Sequence, residues 1–183
     1  MGPVPQAVSP LAARDLSGAR FRRGQMAHAL LQHLPALPVA ERRAAALHWL
    51  ARPGNLITDP QTLADQVMSV LDHPGLAPLF GPEGRAEVPL TGLVGGAVVG
   101  GLVDRLAVLP DRVLVADYKT NRTPPARVED VPVLYLRQMA AYRDVLRGAL
   151  PGRVVVCALV WTAVTQVMPL PDSLLDRHAP GTG

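Results

Sequence analysis

The sequence predicts an α/β domain in which helices come first and a mixed sheet follows. Three observations carry this. Apolar residues at helical spacing fill the stretches before residue 73. From residue 85 onward, Val- and Leu-rich runs bounded by Gly, Pro and Asp read as strands. One long amphipathic segment, 132–149, separates the first strands from two closing ones. With 183 residues, 49% hydrophobic and 18% charged, the chain can bury a core and is not disordered by composition.

Residues 1–18 hold Pro, Gly and Ser without periodicity and read as a tail or linker. A single domain is expected over 19–176, helical to about residue 80 and sheet-built from 85. The first helix, over 20–34, carries an apolar stripe of Met26, Ala27, Leu30, Leu31 and Leu34, with His28 beside it and His33 on another side. A second helix spans 39–52 and ends at Pro53-Gly54. Thr58 or Asp59 caps a third over 60–72, with Pro60 at its first position. The stretch LAPLFGPEG is a loop or short helix. RAEVPLTG, 85–92, starts the sheet, and Pro89 suits an edge strand. The Gly-rich segment 92–101 lacks G-x-G-x-x-G and leads into a strand, so it is not a dinucleotide fingerprint.

Residues 100–122, GGLVDRLAVLPDRVLVADYKTNR, read as a β-hairpin. Pro110 fits the second position of a type I turn, which makes 109–112 the loop and pairs Val108 with Val113. Counting outward places Asp104 directly opposite Asp117, at the roughly 4.5–5.5 Å Cβ spacing of cross-strand neighbours. Lys119, two residues on, shares the face of Asp117. Opposed carboxylates repel, and an unpaired charge in a buried run is expensive. A hard divalent cation, Mg²⁺ or Mn²⁺, is one remedy. The plainer alternative is that Lys119 and Arg105 neutralise two edge carboxylates.

After the hairpin comes a loop, 120–132, with Arg122 and Arg127, expected to be mobile. On the helix over 132–149, Gln138 and Tyr142 are spaced i, i+4 and share a face. RVVVCALVWT is a buried strand and TQVMPL its short partner. Residues 172–183 are expected to fray, with a tail over 177–183.

Asp104 followed by Asp117-Tyr118-Lys119 resembles the D…(D/E)-x-K core of the PD-(D/E)XK nuclease superfamily. The forms G-L-V-D-R-L and V-A-D-Y-K-T, with Arg23-Gly24 and His28 upstream and Gln138 and Tyr142 downstream, resemble its RecB-type branch. The closing VMPLPDSLLD is similar to the end of AddA-type helicase–nucleases. The resemblance implies a restriction-endonuclease-like mixed sheet flanked by helices, and Mg²⁺- or Mn²⁺-dependent cleavage of DNA, with exonuclease action expected. It implies that His28, Asp104 and Asp117 hold the metal while Lys119 acts at the reacting phosphate. Glu87 matches a first-strand Glu of the pattern and stands as a supporting candidate. Gln138 and Tyr142 would hold the site or the DNA. Arg23, Arg105 and Arg122, like Arg20 and Arg22, are candidates for supporting or phosphate-binding roles. A helicase motor in the same polypeptide, an AddB-type partner subunit and a part in double-strand-break repair are implied too. The rivals are a DNA-binding module without catalysis and a stand-alone repair or restriction nuclease.

Composition sets bounds. Net charge is +3 and the isoelectric point about 9.6, which permits a nucleic-acid partner without demanding one. Lys119 is the only lysine; every other basic side chain that is always charged is an arginine. Arginine cannot serve as a compact ammonium with a tunable proton. The single cysteine, Cys157, sits in an apolar run and reads as a core thiol. It excludes the cysteine-ligated cluster of some RecB-type exonucleases. No P-loop sequence is present. No segment qualifies as transmembrane, and MGPVPQAVSP lacks the features of a secretory signal, so a cytoplasmic protein is expected.

Overall fold

In a computed structural model, residues 18–181 are described. The expected tail over 1–18 therefore lies, apart from Gly18, outside the described residues. Among the described residues, four α-helices precede the sheet: α1 (Gly18–His33), α2 (Val39–Leu50), α3 (Pro60–Leu71) and the one-turn α4 (Ala77–Phe80). The strands are β1 (Gly84–Val94), β2 (Ala97–Val108), β3 (Arg112–Lys119), β4 (Val154–Trp161) and β5 (Gln166–Leu170). Helix α5 (Val133–Ala149) connects β3 to β4, and α6 (Asp172–Asp176) follows β5.

The five strands lie in the order β1-β2-β3-β4-β5, with β1 at one edge, as Pro89 requires. Only β3 and β4 are parallel. A parallel pair needs a crossover of a dozen or more residues, and α5 supplies it. The sheet separates two cores. Helices α1–α4 cover one face through Leu30, Leu31, Leu63, Val67 and Leu79, which meet Ala107, Ala116 and Tyr118. Helices α5 and α6 cover the other through Leu136, Met139, Leu146, Leu174 and Leu175, which meet Val103, Val113, Val115 and Leu159.

Local chemistry explains the boundaries. Asp59 caps α3, accepting a hydrogen bond from the Thr62 N–H at 3.0 Å, and Pro60 follows at the first helical position. β1 and β2 form a hairpin closed by Gly95 and Gly96 at φ +56° and +80°, between the paired Val94 and Ala97. A two-residue turn with both central φ positive is the one that matches strand twist, and glycine enters it without a Cβ penalty. The Gly-rich segment is thus a hairpin tip. Cys157 is a core thiol, 1% exposed, its pKa pushed up to about 12 by burial.

The expected fraying of 172–183 is corrected. Residues 172–176 form α6, which buries Leu174 and Leu175. Arg143, on α5 and 1% exposed, fastens it: its guanidinium meets Asp172 at 3.1 Å, Asp176 at 2.8 Å and Asp144 at 2.9 Å. A buried guanidinium must be paired, and this one draws its partners from two elements.

Candidate active site

The β2–β3 hairpin follows the register counted from its turn, from Val108↔Val113 to Arg105↔Ala116. There the ladder stops, one pair short of Asp104 and Asp117. The bonding pattern shows why. Leu109 N–H donates to Arg112 O at 2.8 Å, so bonded pairs recur every second residue and the next after Arg105–Ala116 would be Val103–Tyr118. Tyr118 N–H instead donates to Asp104 Oδ2 at 2.7 Å. β2 and β3 part at this point, while β3 continues on β4 to the pair Lys119↔Trp161.

β2 is irregular on its other side too. Arg85, Ala86 and Val88 pair in one register with Leu106, Arg105 and Val103, but Glu87, which would face Asp104, is left out of the ladder. Its φ is +51°, a left-handed conformation that is rare for a residue other than Gly, Asn or Asp. The alternation of faces also slips: Val103 and Leu106, three apart, both enter the α5-side core. Asp104 thus sits where both neighbouring ladders are interrupted.

His28 arrives from α1. Ala27, Leu30 and Leu31 anchor that helix on the sheet, which sets His28 at the border of the packed stripe. Its Nδ1 lies 3.5 Å from Asp104 Oδ1, and its ring meets Tyr118 edge-on at 5.5 Å. One ligand atom each from His28, Glu87 and Asp104 falls within 4.8 Å of the others. Burial lowers the His28 pKa, but the hydrogen bond and charge of Asp104, with Asp117 and Glu87 behind it, outweigh that and raise it. Glu87 is raised by burial and by Asp104.

Asp117 stands apart from this trio. It is 4% exposed and its Oδ2 is 2.5 Å from Lys119 Nζ. Burial first, and the Asp104 charge second, push its pKa up to about 6 against the pull of Lys119. Lys119 Nζ also lies 3.9 Å from the centre of the Tyr135 ring. The site therefore has two parts. One is an imidazole–carboxylate trio whose oxygen and nitrogen donors suit a hard divalent cation. The other is a buried carboxylate–ammonium pair close enough to feel its charges.

Other expected residues take distinct places. Gln138 Nε2 donates to Tyr142 Oη at 3.1 Å, and Tyr142 Oη donates to Leu102 O at 2.9 Å. The pair braces β2 two residues before Asp104. Gln138 Oε1 and His28 Nε2 are buried without a hydrogen-bond partner among the described residues. Arg23 donates to Gln66 Oε1 at 2.7 Å, near Asp59 and Arg122. Arg105 corrects the reading that it neutralises the carboxylates or reaches phosphate. It is 5% exposed, its Nε donates to Leu79 O at 2.7 Å, and it stacks on Phe80 at 5.0 Å. The slip at Asp104 turns it toward α4, where it ties helix to sheet. Tyr135 was not singled out in the sequence. It precedes Gln138 by three residues and Tyr142 by seven, so helical spacing placed it on their face.

The family model described as the PD-(D/E)XK nuclease superfamily matches residues 8–168. Among solved structures, a Eubacterium rectale protein provisionally described as an exonuclease superposes with a TM-score of 0.56 at 14% identity. The match covers 90% of this chain and 64% of that one, so this chain spans less than two thirds of its length. The structure of SSO0001 matches with a TM-score of 0.36 and 16% identity, over 88% of this chain and 83% of that one, too weak a superposition to carry an argument. No curated protein matches the chain.

Proposed function

The chain belongs to the PD-(D/E)XK nuclease superfamily, and from that premise we propose that it hydrolyses DNA phosphodiester bonds in a divalent-metal-dependent reaction. The observation that carries this is the convergence of His28, Glu87 and Asp104 beside the buried Asp117–Lys119 pair. His28 and Asp104 would hold Mg²⁺ or Mn²⁺, with Asp117 beside them as a third ligand and Glu87 within ligand reach of the first two. Bound there, the cation would lower the pKa of a water and polarise the scissile phosphate. Lys119 offers the compact positive charge that the reacting phosphate needs as negative charge builds. Its ammonium is held by Asp117 and lies over the Tyr135 ring, so it is aimed before substrate arrives. Gln138 and Tyr142 keep β2, and hence Asp104, in place.

The finer reading is an exonuclease domain of an AddA-type helicase–nuclease that processes double-strand breaks. A motor in the same polypeptide, an AddB-type partner subunit and a cytoplasmic setting go with it. Its support is the RecB-type residue pattern and the AddA-like closing segment, which forms β5 and α6. The described residues contain no helix long and apolar enough to cross a membrane.

The test is incubation with linear and with covalently closed circular single-stranded DNA, in Mg²⁺ or Mn²⁺, with and without chelator. Loss of the linear substrate alone, abolished by chelator and by Asp104→Asn, is the expected result. Normal DNA binding without cleavage under any metal would favour a binding module.

A further inference from the structure

Lys119 ends β3, opposite Trp161 of β4 in the parallel ladder. Paired residues share a face, so the lysine and the indole lie on the side of the sheet that α5 covers. Lys119 is 5% exposed. Its ammonium meets the Asp117 carboxylate at 2.5 Å and the face of the Tyr135 ring, 3.9 Å from Nζ to the ring centre. Tyr135 is fixed in turn. It stands in the first turn of α5, where its N–H donates to Pro132 O at 2.9 Å. Its ring packs at 6.4 Å against Trp161, which is 1% exposed. One and two turns on, the same helix face carries Gln138 and Tyr142, which brace β2. A single face of α5 therefore touches both the strand that bears Asp104 and the lysine.

The two neighbours leave the ammonium with different amounts of usable charge. A carboxylate at hydrogen-bond distance offsets most of it. A ring face attracts through its quadrupole and carries no net charge. Asp117 has a second duty in the reading above, as a metal ligand, and a carboxylate that serves a dication has less charge to offer a neighbour. The ammonium is also of one sign with that dication and is repelled by it. The ring is not affected in this way, because its carbons are no ligand for a hard cation. We infer that Tyr135 is a positioning residue, whose ring keeps the Lys119 ammonium at the reaction centre once Asp117 turns to the metal and leaves its charge free for the reacting phosphate. This rests on the nuclease reading and adds to it a residue that neither ligates metal nor belongs to the D-x-K set.

The experiment uses the fact that Lys119 is the only lysine. Lysine labelled with ¹³C at Cε then gives one protein signal by nuclear magnetic resonance, and a ring face over the ammonium moves the attached protons upfield. Wild type, Tyr135→Phe and Tyr135→Leu are compared without metal and through a titration with Mg²⁺, which is diamagnetic. Wild type and Tyr135→Phe keep the upfield position at saturating Mg²⁺, and Tyr135→Leu loses it. Single-turnover cleavage of linear DNA at saturating Mg²⁺ stays at the wild-type rate in Tyr135→Phe and falls by about tenfold or more in Tyr135→Leu. Mg²⁺ affinity is that of wild type in both variants, which shows that the fold and the metal site are intact. A wild-type signal that leaves the upfield position as Mg²⁺ binds, wild-type cleavage in Tyr135→Leu, or equal damage in Tyr135→Phe and Tyr135→Leu overturns the inference. The two readings fail separately. A wild type that binds Mg²⁺, keeps the upfield signal and never cuts removes the nuclease and keeps the ring's hold on Lys119. Cutting that ignores Tyr135→Leu removes only the role of Tyr135.

Discussion

Asp104 accepts the Tyr118 N–H at 2.7 Å, where the β2–β3 ladder would otherwise place the carbonyl of Val103. One carboxylate therefore does two things. Its Oδ2 holds the fork between strands, and its Oδ1 faces His28 at 3.5 Å. The two can be separated. Asp104→Asn keeps an oxygen acceptor for Tyr118 and removes the charge, so it is expected to unfold within about 1 kcal/mol of wild type and to lose Mn²⁺ binding. Asp104→Ala also leaves the Tyr118 N–H unmade, at a further cost of about 1–3 kcal/mol. Urea unfolding and Mn²⁺ titration by electron paramagnetic resonance check both. Equal stability of the two variants would show that the fork does not need this bond.

His28 should report on metal and not on fold. It borders the α1 stripe and is not part of it, so His28→Ala removes one ligand while Ala27, Leu30 and Leu31 keep the helix docked. The expected result is Mn²⁺ affinity weakened by at least about tenfold, the scale on which even outer-shell partners act, with an unchanged circular-dichroism spectrum. Unchanged calorimetric affinity would reduce His28 to a helix residue.

Lys119 is tied to stability and to chemistry at once. Lys119→Ala should lower cleavage by about 10²–10³, the loss typical of one preorganised charge at the transition state. DNA affinity should hardly move, its salt slope falling by about one unit at most. The variant also strands the Asp117 carboxylate in a buried place, which costs about 3–5 kcal/mol without metal. Added Mn²⁺ should restore part of that. Single-turnover cleavage and thermal melts with and without Mn²⁺ separate the effects. Wild-type cleavage in the variant would remove the catalytic assignment.

Much of this was legible in the sequence because it follows from short-range rules. Pro110 fixed the β2–β3 turn, the turn fixed the register, and the i, i+4 spacing of Gln138 and Tyr142 placed them on one face, where they meet. The irregularity at Asp104 was not legible. Strand alternation assumes regular pairing on both sides, whereas Glu87 leaves the β1–β2 ladder at positive φ and Tyr118 leaves the β2–β3 ladder for a side chain. Arg105 turned to Leu79 for the same reason. The fastening of α6 was missed because its partner, Arg143, lies 29 residues before Asp172 in an unrelated element. Long-range charge pairing leaves no periodic trace.

Tyr142 offers a test of the brace on β2. A Cβ on Gly101 would lie 2.6 Å from the Tyr142 ring, so the strand approaches the ring as closely as a glycine allows. Tyr142 is 1% exposed and cannot swing away. Gly101→Ala should destabilise by about 1–3 kcal/mol through overpacking. Tyr142→Phe keeps the packing but removes the hydroxyl from Leu102 O and Gln138, a loss of about 1 kcal/mol. If the brace positions Asp104, both variants lower kcat at saturating metal. Chemical denaturation alongside steady-state cleavage tells positioning from mere stability.

The pH dependence of the metal-free protein follows from the raised pKa values of Asp117, His28 and Glu87. Asp117 titrates near 3.8 when unfolded and at about 6 when folded. Between those values the folded state holds a proton that the unfolded state has lost, so stability falls as pH rises through the interval. A shift of about two units corresponds to at most about 3 kcal/mol. His28 is also raised. Its contribution is complete below the unfolded value of 6.5 and is lost as pH climbs through the folded one. All three slopes have one sign: without metal, the melting temperature should fall from about pH 4 toward pH 8. A cation needs the deprotonated forms of the same groups, so the rise in melting temperature with Mn²⁺ should be larger at pH 7.5 than at pH 5. Asp117→Asn cannot titrate and should flatten the metal-free fall between about pH 4 and 6. Thermal melts of wild type and Asp117→Asn across this range, with Mn²⁺ and with chelator, decide the matter. A wild-type curve that rises through the same interval would mean that Lys119 holds Asp117 ionised throughout.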